Sequence, residues 1–329
     1  MHDPSPTYPG RKQVHADLAA TLDLFFNDPG AMALPPLESP FFEKLLLRIP
    51  ADHPNREHAL RFARDGYTVL DLEMPDFDAV AARIIGDLAP RYPQGGDRRV
   101  QEAWMHQADV RALACNRRVL DLLAFLYQRR PIPFQTLNFD VGTEQATHSD
   151  VLHFYSFPRR YMCGVWVALE DMDGDNGPLQ YYPGSHRLPD YDGSDLGMEH
   201  GFLDYARYEQ FIAALANVHG LQKRELHVKK GHALVWAANL LHGGSAVKDL
   251  KRTRHSQVTH CFFADCVWWS PGDSDLAVGR PQLREVIDLE SGRFVTPRHH
   301  GKAVDLDRFE SVYRYPRPLP EWVKPAVTT

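Results

Sequence analysis

The spacing of apolar residues changes character near residue 131. Upstream, apolar positions recur at helical intervals; downstream they gather in short β-branched and aromatic runs. ADLAATLDLFFND sets Leu18, Leu22, Leu24 and Phe25 on one side of a predicted helix. SPFFEKLLLRI predicts a second, with Ser39 as cap and Pro40 at the first position. From 58 to 135 the pattern reads helix, strand, helix, helix. HALRFARDGYTVLDL breaks at Asp65-Gly66 and turns into a strand. DFDAVAARIIGDLAPRY starts a helix with Asp76 or Asp78 as cap. RRVQEAW and NRRVLDLLAFLY follow, and Val119, Leu122, Leu123 and Leu126 form one core-facing stripe.

From 131 to about 265 the predicted strands are PFQTLNFDVG, RYMCGVWVALEDM, GPLQYYPGS, LHVKKGHALVWAAN and HSQVTHCFFAD, punctuated by Gly, Pro and Asp. Short strands without interleaved helices predict a sandwich or jelly roll, hence an α+β chain with a mainly β core. Three parts are expected: a helical extension over 1–57, a principal domain over 58–265 and a C-terminal extension over 266–329. Trp268 and Trp269 are too apolar for an idle tail, so the extension should pack on the core. Glu290-Ser291-Gly292 reads as a hairpin turn.

Composition narrows the functional classes. A chain of 329 residues, 43% hydrophobic, can bury a large core. Its net charge of −6 argues against nucleic acid as a partner. No apolar run approaches the ~20 residues of a membrane span, and MHDPSPTYPGRK lacks a signal peptide's apolar centre. Cys115, Cys163, Cys261 and Cys266 form no CxxC pair, and the last three lie in apolar surroundings. They read as small core residues in a reducing compartment, with cytoplasm as the expected location.

The candidate chemistry centres on His148-Ser149-Asp150 and the distant His242, in LLHGG. Residues i and i+2 of a strand share a face, so His148 and Asp150 would point together and Ser149 away. Two imidazoles and one carboxylate suit a mononuclear iron(II) site with open positions. Spacing alone does not separate this from surface or satisfied histidines, since the chain carries 17. Other patterns lead nowhere. EDMDGDNG fails as a calcium loop, because Asn176 and Tyr182 stand where glycine and glutamate are needed. Ser149 and Ser185 lack a nucleophile-elbow context. His186, in PGSH, reads as a supporting or surface residue.

DGYTVL, the His-x-Asp pair, GVWVALEDMDGDNGPLQYYPGSH, KKGHALVWAANLLHGG and TRHSQVTHCFF occur in that order. Together, over residues 58–265, they resemble the phytanoyl-CoA dioxygenase family of iron(II)- and 2-oxoglutarate-dependent oxygenases. The resemblance implies a double-stranded β-helix, a jelly-roll or cupin-like barrel, with helices packed outside. It implies Fe(2+) held by His148, Asp150 and His242, with 2-oxoglutarate and O2 as co-substrates. A cation must hold the far carboxylate of 2-oxoglutarate, and an arginine fork suits it. Arg252 and Arg254 have the same strand parity; the family's Arg-x-Ser pattern falls on Arg254 and Ser256. By the same likeness Trp166 lines the co-substrate pocket and Gln135 contacts 2-oxoglutarate, while Leu137 shares Gln135's face and would touch substrate.

The implied reaction is hydroxylation of an unactivated C–H bond with release of succinate and CO2; desaturation or cyclisation are alternatives. Iron halogenases of the superfamily replace the carboxylate by a small residue, so an intact Asp150 favours hydroxylation, or a related desaturation or ring closure, over halogenation. Arg159 and Arg160, in FPRRYM, are expected to overhang the mouth and meet an anionic group of a small-molecule substrate. Neither a membrane nor a nucleic acid is expected as partner, and the protein would be a monomer or homodimer. The rival reading is a non-redox, metal-binding cupin-like protein, since the same donors suit zinc.

Overall fold

A computed structural model describes residues 34–326, except 40–41, 48, 96–97 and 199–203. The predicted helix at ADLAATLDLFFND lies outside the described residues, as does Pro40. Chain contacts separate Met1–Ala33 from a second unit, Leu34–Thr329, and all that follows concerns the second.

The helices precede most of the sheet. They are α1 (Phe42–Leu46), α2 (Arg56–Asp65), α3 (Phe77–Leu88), α4 (Ala108–Ala114) and α5 (Arg117–Tyr127). Helix α2 stops at Gly66, whose left-handed φ of 82° lets its N–H close on Phe62 O at 2.7 Å. Asp76 stands at the N-cap of α3 but makes no side-chain cap bond. The working caps are Gln107, which accepts from Asp109 and Val110 N–H, and Asn116, which accepts from Val119 N–H. The stripe Val119, Leu122, Leu123 and Leu126 is buried throughout.

The strands relevant to the site are β1 (Tyr67–Asp71), β2 (Arg99–Gln101), β3 (Pro131–Phe139), β4 (Tyr155–Phe157), β5 (Met162–Ala168), β6 (Leu179–Tyr181), β7 (Arg224–Glu225), β8 (His232–Ala237), β9 (His242–Gly244), β10 (Ser256–Phe263), β11 (Val267–Trp269) and β12 (Leu283–Arg284). A six-stranded antiparallel sheet runs β1-β8-β5-β10-β3-β2. A three-stranded sheet runs β7-β6-β9. Alternation sorts the large sheet's side chains. Val165, Val167, Ala233, Val235 and Ala237 join the core shared with α2, α3 and α5, whereas Trp166, Ala168, Leu234 and Trp236 face the small sheet. Both faces are covered, which is why these strands read as nearly unbroken apolar runs.

Two expectations need correction. Among the described residues the mixed sheets do not close into one barrel; they form separate sheets. The region 131–265 is also not free of helix, because α6 (Tyr205–Val218) lies within it. It buries only the narrow stripe Tyr208, Ile212 and Ala216, so its apolar periodicity is weak. In the C-terminal residues, β11 pairs with β4 and β12, and Trp268 stacks on Phe262 with ring centroids 5.7 Å apart. No described helix is long and apolar enough to cross a membrane.

Candidate metal centre

His148 and His242 sit opposite each other in an isolated antiparallel bridge. His148 N–H donates to His242 O at 2.9 Å, and His242 N–H donates back at 3.0 Å. The glycines after His242 make this approach possible. A Cβ on Gly243 would stand 2.6 Å from Gln145 O, and one on Gly244 2.9 Å from Glu144 N. The LLHGG sequence therefore lets the segment before His148 lie flat against β9.

His148 and Asp150 are not two residues of one regular strand, as the spacing suggests. Ser149 is extended (φ −119°, ψ 138°), but Asp150 opens a short 3-10 turn to Leu152. The single extended residue suffices for the parity. Ser149 Oγ turns away to Asn239 Oδ1 at 3.0 Å, while the flanking side chains converge. His148 Nε2 and His242 Nε2 lie 3.9 and 3.7 Å from Asp150 Oδ1. One ligand atom from each residue fits within 4.8 Å of the others, the one such cluster among the described residues.

Hydrogen bonds behind the two imidazoles fix which atoms point inward. His148 Nδ1–H donates to Ala146 O and His242 Nδ1–H to Leu240 O, each at 2.9 Å. Both Nε2 lone pairs are thereby directed at Asp150. Burial pushes both imidazoles down to about 4, so both are neutral at pH 7. Asp150 Oδ2 accepts from Trp236 Nε1–H at 2.8 Å, which leaves Oδ1 facing the histidines.

The triad lies in a cavity of about 510 Å³, also lined by Gln135, Leu137, Trp166 and Arg254. Arg254 is 3% exposed and makes no ion pair among the described residues. Burial pushes its guanidinium down to about 10, and Glu170 acts weakly the other way, so it stays charged at neutral pH. Its Cζ stands 5.8 Å from the Trp166 ring centre and 5.7 Å from that of Phe139. Arg254 Nε, Trp166 Nε1 and Ser256 Oγ are buried without a hydrogen-bond partner. Ser256 lies on the strand between Arg254 and Val258 but does not itself line the cavity. Arg252, by contrast, reaches out to Asp173 at 3.2 Å.

Phytanoyl-CoA dioxygenase (PhyH) is the family whose model matches this chain, over residues 91–256, half of its length. The chain belongs to the phytanoyl-CoA dioxygenase family. Phytanoyl-CoA dioxygenase domain-containing protein 1 of Danio rerio is 30% identical over 131 residues, 40% of this chain and 43% of that protein. Ectoine dioxygenase of Sphingopyxis alaskensis is 29% identical over 218 residues, 57% of this chain and 69% of that protein. This family member thus spans less than half the length of the zebrafish relative. Its fold is shared with the non-heme alpha ketoglutarate dependent carbocyclase SnoK from nogalamycin biosynthesis, at TM-score 0.56 and 16% identity over 70% of this chain and 92% of that one.

The remaining predicted residues fall in different places. Gln135 Oε1 accepts from His260 Nδ1–H at 2.8 Å, and Leu137 lines the cavity two residues on. Arg159 and Arg160 do not line it. Arg159 is exposed, and Arg160 is committed elsewhere, to Glu38 at 2.8 Å and Asp190 at 2.7 Å. The expectation that they overhang the mouth is therefore not met. His186 is buried and bonded to Ala63 O at 3.2 Å, away from the triad. Sequence reasoning passed over His260, whose Nε2 lies 3.8 Å from Asp150 Oδ2. Its signal was parity, since Arg254, Val258 and His260 all reach one cavity from alternate positions.

Proposed function

We propose that this chain is an iron(II)- and 2-oxoglutarate-dependent oxygenase that hydroxylates an unactivated C–H bond of a small organic molecule. The observation that carries this reading is Arg254. A buried guanidinium without a counter-ion is costly unless an anion arrives to meet it. Its unpartnered Nε, with the Trp166 indole that lines the same cavity, suits the far carboxylate of 2-oxoglutarate. A metal-binding protein without redox work has no use for that anchor beside its triad.

In this reading His148 and His242 each offer Nε2 and Asp150 offers Oδ1, three donors that leave positions open for further ligands. The chemistry supplied at such a centre, with O2 as co-substrate, is C–H oxidation coupled to conversion of 2-oxoglutarate to succinate and CO2. The protein's own part is to orient and to shield. Trp236 holds the carboxylate, Arg254 the co-substrate, and Trp166 with Phe154 supplies apolar walls that exclude water. We read the facing sheets as an opened double-stranded β-helix. We also take the protein as a cytoplasmic monomer or homodimer with no nucleic-acid partner, in keeping with four unpaired cysteines.

The test is anaerobic addition of iron(II) and 2-oxoglutarate, followed by visible spectroscopy. A weak charge-transfer band that grows with 2-oxoglutarate is expected. Iron bound without such a band would end the oxygenase reading. Succinate release across small-molecule libraries would then identify the substrate.

A further inference from the structure

A second buried guanidinium enters the same cavity. Arg284, on β12, is 8% exposed and lines the cavity with Tyr313 and Phe154. Its Cζ lies 4.2 Å from the Tyr313 ring centre and 4.9 Å from that of Phe154. Arg254 has different ring neighbours, Phe139 and Trp166, so the two cations occupy separate parts of the cavity. Phe154 in turn lies 4.7 Å from the His260 ring, which places Arg284 on the His260 side of the triad.

Arg284 Nε and Nη1 are buried with no hydrogen-bond partner. Two nearby carboxylates are engaged elsewhere. Glu285 pairs with Arg314 and Arg317 at 3.3 and 3.4 Å. Asp273 accepts from Ser270 Oγ at 2.9 Å. Glu102 lies near enough for Arg284 to act on its carboxylate, but no hydrogen bond joins them: Oε2 accepts from the Trp104 indole and from Thr136 N–H, and the buried Oε1 has no partner. None of them forms an ion pair with Arg284 among the described residues. Glu102 offsets the charge only in part, and buried guanidinium N–H groups without hydrogen-bond partners beside a cavity are costly until an anion meets them. With Arg254 assigned to the co-substrate, that anion belongs to the other reactant.

We propose that Arg284 anchors a carboxylate of the primary substrate, so that the enzyme acts on a small carboxylic acid whose apolar body lies along Phe154 and Tyr313. A carboxylate is the fitting monoanion for one guanidinium, because its two coplanar oxygens match the planar donor set. This assignment rests on the triad being the iron and 2-oxoglutarate centre.

The experiment uses calorimetric titration of the anaerobic protein loaded with iron(II) and 2-oxoglutarate, with phenylacetate, phenylacetamide and phenyl phosphate as probes. Phenylacetate should bind roughly tenfold more tightly than the amide, the range for a hydrogen bond to a charged group. Arg284→Met should abolish that preference and Arg284→Lys should keep part of it, while the Kd for 2-oxoglutarate stays within about twofold in both. Equal binding of acid and amide by the wild type, or an acid preference that survives in Arg284→Met, overturns the proposal. So does a loss of 2-oxoglutarate binding in that variant, or tighter binding of phenyl phosphate than of phenylacetate. If iron(II) and 2-oxoglutarate give no charge-transfer band, it is the reading of the triad that falls. The acid–amide comparison on the unloaded protein still decides Arg284.

Discussion

Trp236 donates its indole N–H to Asp150 Oδ2 at 2.8 Å, and it can do so because Gly164, opposite it on β5, has no side chain. A Cβ at Gly164 would lie 2.1 Å from the indole Cζ2. Gly164→Ala should therefore displace the ring, and Trp236→Phe should remove the bond while keeping most of the packing. Loss of a partner behind a metal ligand costs about 10- to 100-fold in metal affinity. We expect iron(II) binding to weaken by about tenfold in Trp236→Phe. A chelator-competition titration that finds unchanged affinity would remove Trp236 from the site's support.

Arg254 offers a sharper test of the co-substrate pocket. Arg254→Met should raise the half-saturation for 2-oxoglutarate in the charge-transfer titration by at least about tenfold, the scale of one charge-assisted hydrogen bond. Iron(II) affinity should hold, since Arg254 touches none of the three ligands. Arg254→Lys should recover only part of the loss, because an ammonium lacks the planar fork. Equal loss of iron and 2-oxoglutarate binding would mean a general collapse of the site.

The strands were legible in the sequence through local alternation, whereas the clustering of His148, Asp150 and His242 was legible only with the family resemblance, because His242 comes from a distant strand. The family likeness placed Trp166, whose side chain alternates away from Val165 and Val167, and the one extended residue at Ser149 was enough to align His148 with Asp150. What was illegible depends on distant partners. The FPRRYM run looked like a free cationic loop, yet Glu38 and Asp190 claim Arg160 from 122 and 30 residues away. Arg284 carries no local pattern at all, and its place at the cavity comes from the pairing of β12 with β11 on one side and with Val312–Tyr313 on the other. Helix α6 stayed hidden because three buried residues in fourteen make a faint stripe.

Arg160 should matter for stability and not for substrate. Its guanidinium is mostly buried, and Glu38 is almost fully so, at 16% and 3% side-chain exposure. Removing one partner of such a pair leaves the other charge stranded, at a cost of about 3 kcal/mol. Arg160→Ala should thus lower the urea midpoint markedly, while substrate KM measured on the folded fraction stays at the wild-type value. A raised KM with unchanged stability would restore Arg160 to the cavity.

His186 should make the fold acid-sensitive. It is 2% exposed, donates Nε2–H to Ala63 O at 3.2 Å, and packs against Gly66, where a Cβ would lie 2.5 Å from its Nδ1. Burial pushes the imidazole from 6.5 down to about 4, with the Ala63 bond opposing weakly. Between those two values the unfolded chain binds a proton that the folded one refuses, so stability falls as pH falls through the window. The slope is about 1.4 kcal/mol per pH unit for each such proton. His186→Gln removes this group's share. The stability difference between wild type and variant should therefore widen from pH 4 to 6.5 and level off above. Urea unfolding at several pH values, without added metal, reads it directly. Parallel curves across the window would show that His186 titrates alike in both states.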